Sequence, residues 1–140
     1  MIISKTPYRI SFFGGGTDYP SWYKKNGGSV ISATIDKYIY ISCRKLPPFF
    51  NHKYRIVWSH IETVKKLKQI KHKVVREMLN KYKIKEGLEI HYDGDLPARS
   101  GMGSSSVFVV GLMNLFNHFK NKNIKKKNWQ KIVFILSKKY

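Results

Sequence analysis

The sequence predicts an α+β domain, and three features predict it. Apolar and polar residues alternate with period two in several runs over the first 58 residues and again at 88–92; apolar residues recur every three to four positions after residue 59; and residues 107–119 are apolar on almost every side. A chain of 140 residues, 42% hydrophobic and 14% aromatic, has the length of one domain and can bury roughly two thirds of its unfolded surface.

Residues 8–13 place Tyr8, Ile10 and Phe12 opposite Arg9, Ser11 and Phe13, the pattern of a half-buried strand ended by Gly14, Gly15 and Gly16. After Pro20 and the Gly27-Gly28 pair, alternation resumes at 30–35 and continues at 37–44. Only Asp36 and Lys37 separate these runs, which fits either a hairpin or a sharply bent continuous ribbon. Residues 54–58, YRIVW, read as another strand. Ser59 with Glu62 has the spacing of a reciprocal helix cap, so a helix is expected to start there and to run, whole or in two pieces, through Val64, Leu67, Val74, Val75, Met78, Leu79 and Tyr82. LEIHY at 88–92 is a strand, and DGDLP at 93–97 has turn chemistry. The apolar block that follows Ser106 is expected to be a central helix covered on nearly all sides. A last amphipathic stripe carries Trp129, Ile132, Val133, Leu136 and Tyr140.

Composition narrows the function. One cysteine, Cys43, cannot form an internal disulfide, and the five histidines show no paired metal-ligand spacing. No stretch approaches the roughly 20 apolar residues of a membrane span, and a charge and a proline interrupt the N-terminal segment, so a cytoplasmic protein without membrane attachment is expected. The net charge of +19, from 27 basic and 8 acidic residues, attracts anions. Most of these cations are lysines, whereas readers of base edges rely more on arginine, so nucleic acid is a minor expectation.

The chemistry concentrates at DLPARSGMGSSSV, where a predicted strand hands over to the central helix. A first helical turn presents unpaired N–H groups and the positive end of the helix dipole. Gly101 and Gly103 lack the Cβ atoms that would hold a phosphate away, and the hydroxyls of Ser104, Ser105 and Ser106 can donate to phosphate oxygens or ligate Mg²⁺. An N-capping serine cluster beside a glycine-relieved turn fits the same letters. No lysine follows the last glycine, so this is not a Walker A loop.

LPARSGMGSSS resembles the second signature of the GHMP kinases, the family of galactokinase, homoserine kinase, mevalonate kinase and phosphomevalonate kinase. Pro97, Gly101, Gly103, Ser104, Ser105 and Ser106 match, and Met102 stands conservatively for leucine. PYRISFFGGGTDY resembles the first signature. Its GGGTD form, followed by GGSVISATIDKYIYI, is most similar to the branch that phosphorylates D-glycero-D-manno-heptose 7-phosphate at the anomeric position. The resemblance implies a mostly antiparallel sheet backed by helices, like the second domain of ribosomal protein S5. It implies ATP and Mg²⁺ as cofactors, with residues Pro97, Gly101, Met102, Gly103, Ser104, Ser105 and Ser106 around the nucleotide and Ser104 or Ser105 near the metal. A sugar or sugar phosphate would meet Arg9, Gly15, Gly16, Thr17 and Asp18. Asp18 is the residue suited to accept from vicinal hydroxyls.

The third glycine-rich signature of the family has no counterpart here, nor does the aspartate-bearing segment that supplies the base in the heptose branch. Residues 1–140 are therefore expected to be an incomplete N-terminal ATP-binding domain. The C-terminal domain and the base would lie beyond Tyr140, a separately encoded half being one arrangement, and the chain alone is expected to be inactive. The competing reading is a basic S5-like module that binds nucleic acid.

Overall fold

A computed structural model describes residues 1–97 and 100–120, with Asp18 described in its backbone alone. The alternating runs form one five-stranded sheet in the order β1-β2-β5-β3-β4. Its strands are β1 (Ile2–Phe13), β2 (Ile31–Lys45), β3 (Tyr54–Val57), β4 (Ile61–Val64) and β5 (Leu88–Gly94), with helices α1 (Pro20–Asn26), α2 (Lys73–Lys81) and α3 (Ser104–Phe119) between and after them. Every pairing is antiparallel except β3 with β5. The α+β class with a mostly antiparallel sheet is thus the one expected. The stripe at 129–140 lies outside the described residues.

Of the two readings at Asp36 and Lys37, the continuous ribbon is realised. β2 runs unbroken past them because β1 pairs along its length, from Ile2 opposite Cys43 to Phe13 opposite Ile31. The helix expected at Ser59 is not there. Residues 61–64 instead form β4, in a tight hairpin that sets Ile61 opposite Val57 and Val64 opposite Tyr54. The capping signal misled because the Glu62 carboxylate acts at longer range: it accepts the backbone N–H of Lys71 at 2.5 Å and of His72 at 3.0 Å. Glu62 therefore prepares a helix start, but that of α2, where His72 Nδ1 also accepts from the Val75 N–H at 3.4 Å. Burial lowers the His72 pKa, against the pull of the Glu62 charge, which suits a neutral ring with an acceptor nitrogen.

α3 is the central helix. Leu112, Met113 and Phe116 are fully buried against Ile39, Ile41 and Ile90 of the sheet, while α2 adds Val75, Met78 and Leu79. Each such side chain contributes on the order of 2 kcal/mol by burial. Gly111 permits the close approach to the sheet, since a Cβ there would meet Thr6 Oγ1 at 2.9 Å and Ile41 Cδ1 at 3.1 Å. Cys43 sits in the same core, and burial pushes its thiol up to about 12, so it behaves as a small apolar residue. Among the described residues, no helix is long and apolar enough to cross a membrane.

The sheet face away from α3 carries the charge. Glu89 on β5 is 2% exposed, yet Arg44 of the neighbouring β2 and Arg55 of β3 both donate to it, and His91 Nε2 lies 2.9 Å from its Oε1. Burial alone would raise this carboxyl; the contacts from His91, Arg44 and Arg55 outweigh it and hold the group at about 2. Nothing in the sequence singles out Glu89. Its signal was cross-strand, and strand neighbours are invisible until register is known.

Candidate phosphate-binding site

β5 leaves the sheet at Gly94, and the loop that follows is rooted before it opens. Asp95 N–H donates to the Tyr38 carbonyl at 3.0 Å, Tyr38 N–H returns a bond to Asp95 Oδ2 at 2.8 Å, and the Tyr8 hydroxyl donates to the Leu96 carbonyl at 3.2 Å. Leu96 and Met102 pack against the core. Met102 thus pins the loop inward while its two glycine neighbours stay outside, which explains a large apolar residue between them.

Gly101 and Gly103 adopt left-handed backbone, with φ of 75° and 69°. A Cβ at either would meet nothing within 4 Å. Steric pressure from the protein does not demand these glycines; what they provide is the backbone turn and an unobstructed approach to the amides behind it. Gly103 is the residue before α3 and carries no side-chain cap. Its carbonyl accepts from Ser106 and Val107, leaving the N–H groups of Ser104 and Ser105 without a partner among the described residues. No acidic side chain occupies the first turn, so the positive end of a 16-residue helix faces outward unneutralised. Ser105 is exposed and Ser104 and Ser106 are half-buried. The capping reading of the serines finds no hydrogen bond to support it.

The other glycine turn sits at the same end of the sheet. β5 stops opposite Ile39, but β1 and β2 continue as a two-stranded ribbon to Phe13 and Ile31. Its tip lies about 20 Å beyond the root of the 95–103 loop, at ~3.3 Å per residue. At the tip, Gly15–Asp18 form a 3-10 turn. Thr17 Oγ1 donates to the Gly14 carbonyl at 2.7 Å and lies 3.3 Å from the Ser29 carbonyl. Gly15 and Gly16 are exposed, with open space where a Cβ would stand. Arg9 is exposed on β1 beside Thr34. Asp18's side chain lies outside the described residues. Around the turn stand exposed Phe12, Phe13, Tyr19 and Trp22.

One feature absent from the sequence reading lies beside α3. A row of rings runs from Phe108, one turn into the helix, to His72 at 5.2 Å and on to Trp58 at 4.9 Å. Trp58, His60, Glu62 and Lys71 line an open cleft of 480 Å³ there. Glu62 fixes Trp58 by accepting its indole N–H at 3.2 Å. Reading residues 59–64 as the start of a helix hides this pattern in the sequence. No group of three or more His, Cys, Asp or Glu side chains that could hold a metal occurs among the described residues.

Known proteins share this fold. The D-glycero-alpha-D-manno-heptose 7-phosphate kinase of Campylobacter jejuni is 29% identical over 132 residues, which covers 86% of this chain and 38% of that protein. A solved D-glycero-D-manno-heptose 1-phosphate kinase from Bacteroides thetaiotaomicron superposes with a TM-score of 0.80 at 21% identity, covering 97% of this chain and 47% of the other. The mevalonate kinase of Methanococcus jannaschii gives 0.72 at 19%, covering 98% and 46%. The chain therefore spans less than half the length of each of these proteins. The fold is the ribosomal S5 domain 2-like fold expected from the sequence. The model of the GHMP kinases N terminal domain matches residues 64–140, more than half of the chain, and the protein belongs to the GHMP kinase family.

Proposed function

We infer that this chain is the ATP-binding N-terminal domain of a sugar kinase that transfers the γ-phosphoryl group of ATP to a hydroxyl of a sugar or sugar phosphate. The observation that carries the reading is the pair of unpartnered amides at Ser104 and Ser105, set behind two left-handed glycines with open space in front. Amides and dipole together bind phosphate oxygens and stabilise the charge that spreads over them in the transition state. The Ser104 or Ser105 hydroxyl would ligate Mg²⁺, which supplies charge neutralisation between the phosphates when bound. Pro97 and Met102 shape the loop. The base of ATP would lie toward the Trp58 cleft, on the ring row that starts at Phe108.

The sugar side would be the ribbon tip. Gly15 and Gly16 let a ligand approach the backbone, Asp18 would accept from vicinal hydroxyls, Thr17 would position the turn through its bond to Gly14, and Arg9 would serve a phosphate on the acceptor. The heptose 7-phosphate acceptor, with transfer at the anomeric hydroxyl, rests on the GGGTD turn and on the Campylobacter relative. The two described carboxylates that are most buried, Glu62 and Glu89, are both fully engaged in structure. The base that takes the hydroxyl proton would then lie beyond Tyr140.

Thermal unfolding tests the reading. With the chain joined to the remainder of a family-length kinase, ATP and Mg²⁺ should raise Tm, and Gly103→Asp, which sets a carboxylate on the phosphate path, should abolish the rise. Transfer of labelled phosphate to heptose 7-phosphate, and not to galactose, identifies the acceptor. The charge of +19 favours one rival, an RNA-binding module. RNA binding with a steep salt dependence and no response to ATP would replace the kinase reading.

A further inference from the structure

The first turn of α3 carries no side-chain cap, and open space surrounds the Cβ positions of Gly101 and Gly103. Whatever holds these amides in place must act from the root of the loop. Among the described residues, one side chain bonds the loop's main chain there: the Tyr8 hydroxyl, which donates to the Leu96 carbonyl at 3.2 Å from a strand 88 residues away in the chain.

The surroundings are shaped for this contact. Tyr8 is 0% exposed, so its hydroxyl needs a partner inside the protein, and the Leu96 carbonyl is that partner. Residue 94 is glycine where a side chain would collide with the hydroxyl, since a Cβ there would stand 2.8 Å from Tyr8 Oη. The same Cβ would lie 3.4 Å from Tyr92 Oη, so two tyrosine hydroxyls converge where β5 becomes the loop. Burial and the neighbouring Tyr8 push the Tyr92 pKa up to about 12, which keeps its proton in place.

Register puts Tyr8 at a junction. β1 pairs with β2 up to Pro7 opposite Tyr38 and resumes at Arg9 opposite Thr34; between them Tyr8 alone stands against residues 35–37, a bulge in β2. β5 ends beside it, with Gly94 opposite Ile39. Tyr8 thus sits where the ribbon that carries the 14–18 turn leaves the sheet, and from there it bonds the loop that carries Gly101 and Gly103.

We propose that Tyr8 is a positioning residue for phosphoryl transfer: its hydroxyl fixes the root of the phosphate loop to the strand that leads to the acceptor turn, and so sets the Ser104 and Ser105 amides in place before ATP arrives. The assignment rests on the reading of this segment as a phosphate loop. A loop fixed in advance loses less freedom when it binds, and its donors already point where the phosphate charge will lie.

Tyr8→Phe keeps the buried ring and removes the hydroxyl. In the 140-residue chain, NMR relaxation should show the Gly101 and Gly103 amides more mobile than in the parent protein, with the β3 and β4 amides unchanged, and ATP with Mg²⁺ should bind roughly fivefold more weakly. Gly94→Ala, which drives a methyl group into the Tyr8 hydroxyl, should loosen the same two amides and lower Tm. Combined with Tyr8→Phe, which clears that space, it should lower Tm no further than Tyr8→Phe alone, a rescue that general loss of packing would not produce. Glycine amides as rigid as before in Tyr8→Phe, an ATP affinity equal to the parent's, or additive Tm losses in the double variant would each overturn the proposal. If the parent chain itself gives no response to ATP, the kinase reading fails separately, and the glycine amides still decide whether Tyr8 holds the loop.

Discussion

The two glycine-rich turns look alike as sequence and differ as structure. In the 14–18 turn, Gly14 has a φ of 84° and a Cβ there would stand 1.8 Å from the Ser29 carbonyl oxygen. A Cβ at Gly28 would also be crowded, 2.9 Å from Thr17 Cβ. The Thr17 hydroxyl proton is spent inside the turn. In the 101–106 segment the left-handed glycines face open space and the following amides have no partner. Packing demands Gly14, whereas at Gly101 and Gly103 only the left-handed backbone favours glycine and the space in front stays open.

Substitution should separate the two turns. Gly14→Ala forces both a positive φ and a backbone collision, so it should cost about 3 kcal/mol and visibly lower Tm. An alanine tolerated there without loss would mean that the ribbon tip is as open as the phosphate loop, and the distinction would vanish. The next effect belongs to the sheet beneath both turns. Glu89 has a folded pKa of about 2 against an ordinary 4.5, so its stabilisation is fully present above pH 4.5 and is lost as pH falls through 4.5 toward 2. The size is about 2 kcal/mol once the half-exposed arginines are discounted for solvent screening. Acid titration of stability should show that limb, and Glu89→Gln should flatten it; an unchanged limb assigns acid sensitivity elsewhere. The smallest stability effect should come from Ser105→Ala, within about 0.5 kcal/mol, because its exposed side chain makes no cap. The same variant should weaken ATP–Mg²⁺ binding in the family-length enzyme. A large loss of stability instead would restore the capping reading of the serines.

How far the sequence could be read depended on the range of each signal. Alternation at 37–44, 54–57 and 88–92 marks strands because one face of each joins the core, whereas the alternating runs at 9–13 and 31–35 lie in a ribbon largely exposed on both faces; the all-apolar run marks α3 because it is buried on nearly every side. The glycine-serine segment stands out because left-handed turns and an uncapped helix start need particular residue types at adjacent positions. What failed was the Ser59 and Glu62 pair. A capping spacing is local, whereas the Glu62 carboxylate is used nine and ten residues away. The Trp58 cleft was lost with it, and so was the clamp on Glu89, whose partners lie 45 and 34 residues distant in the chain.

By itself the sequence determined the α+β class, the central helix and the backbone chemistry at Gly101 to Ser106, because those depend on periods and neighbours a few residues apart. Only the tertiary structure decided which glycines are packed and which are free, which carboxylates are already engaged, and that both turns share one end of the sheet. Those properties belong to strand register and close approach, which bring together residues that no local pattern connects.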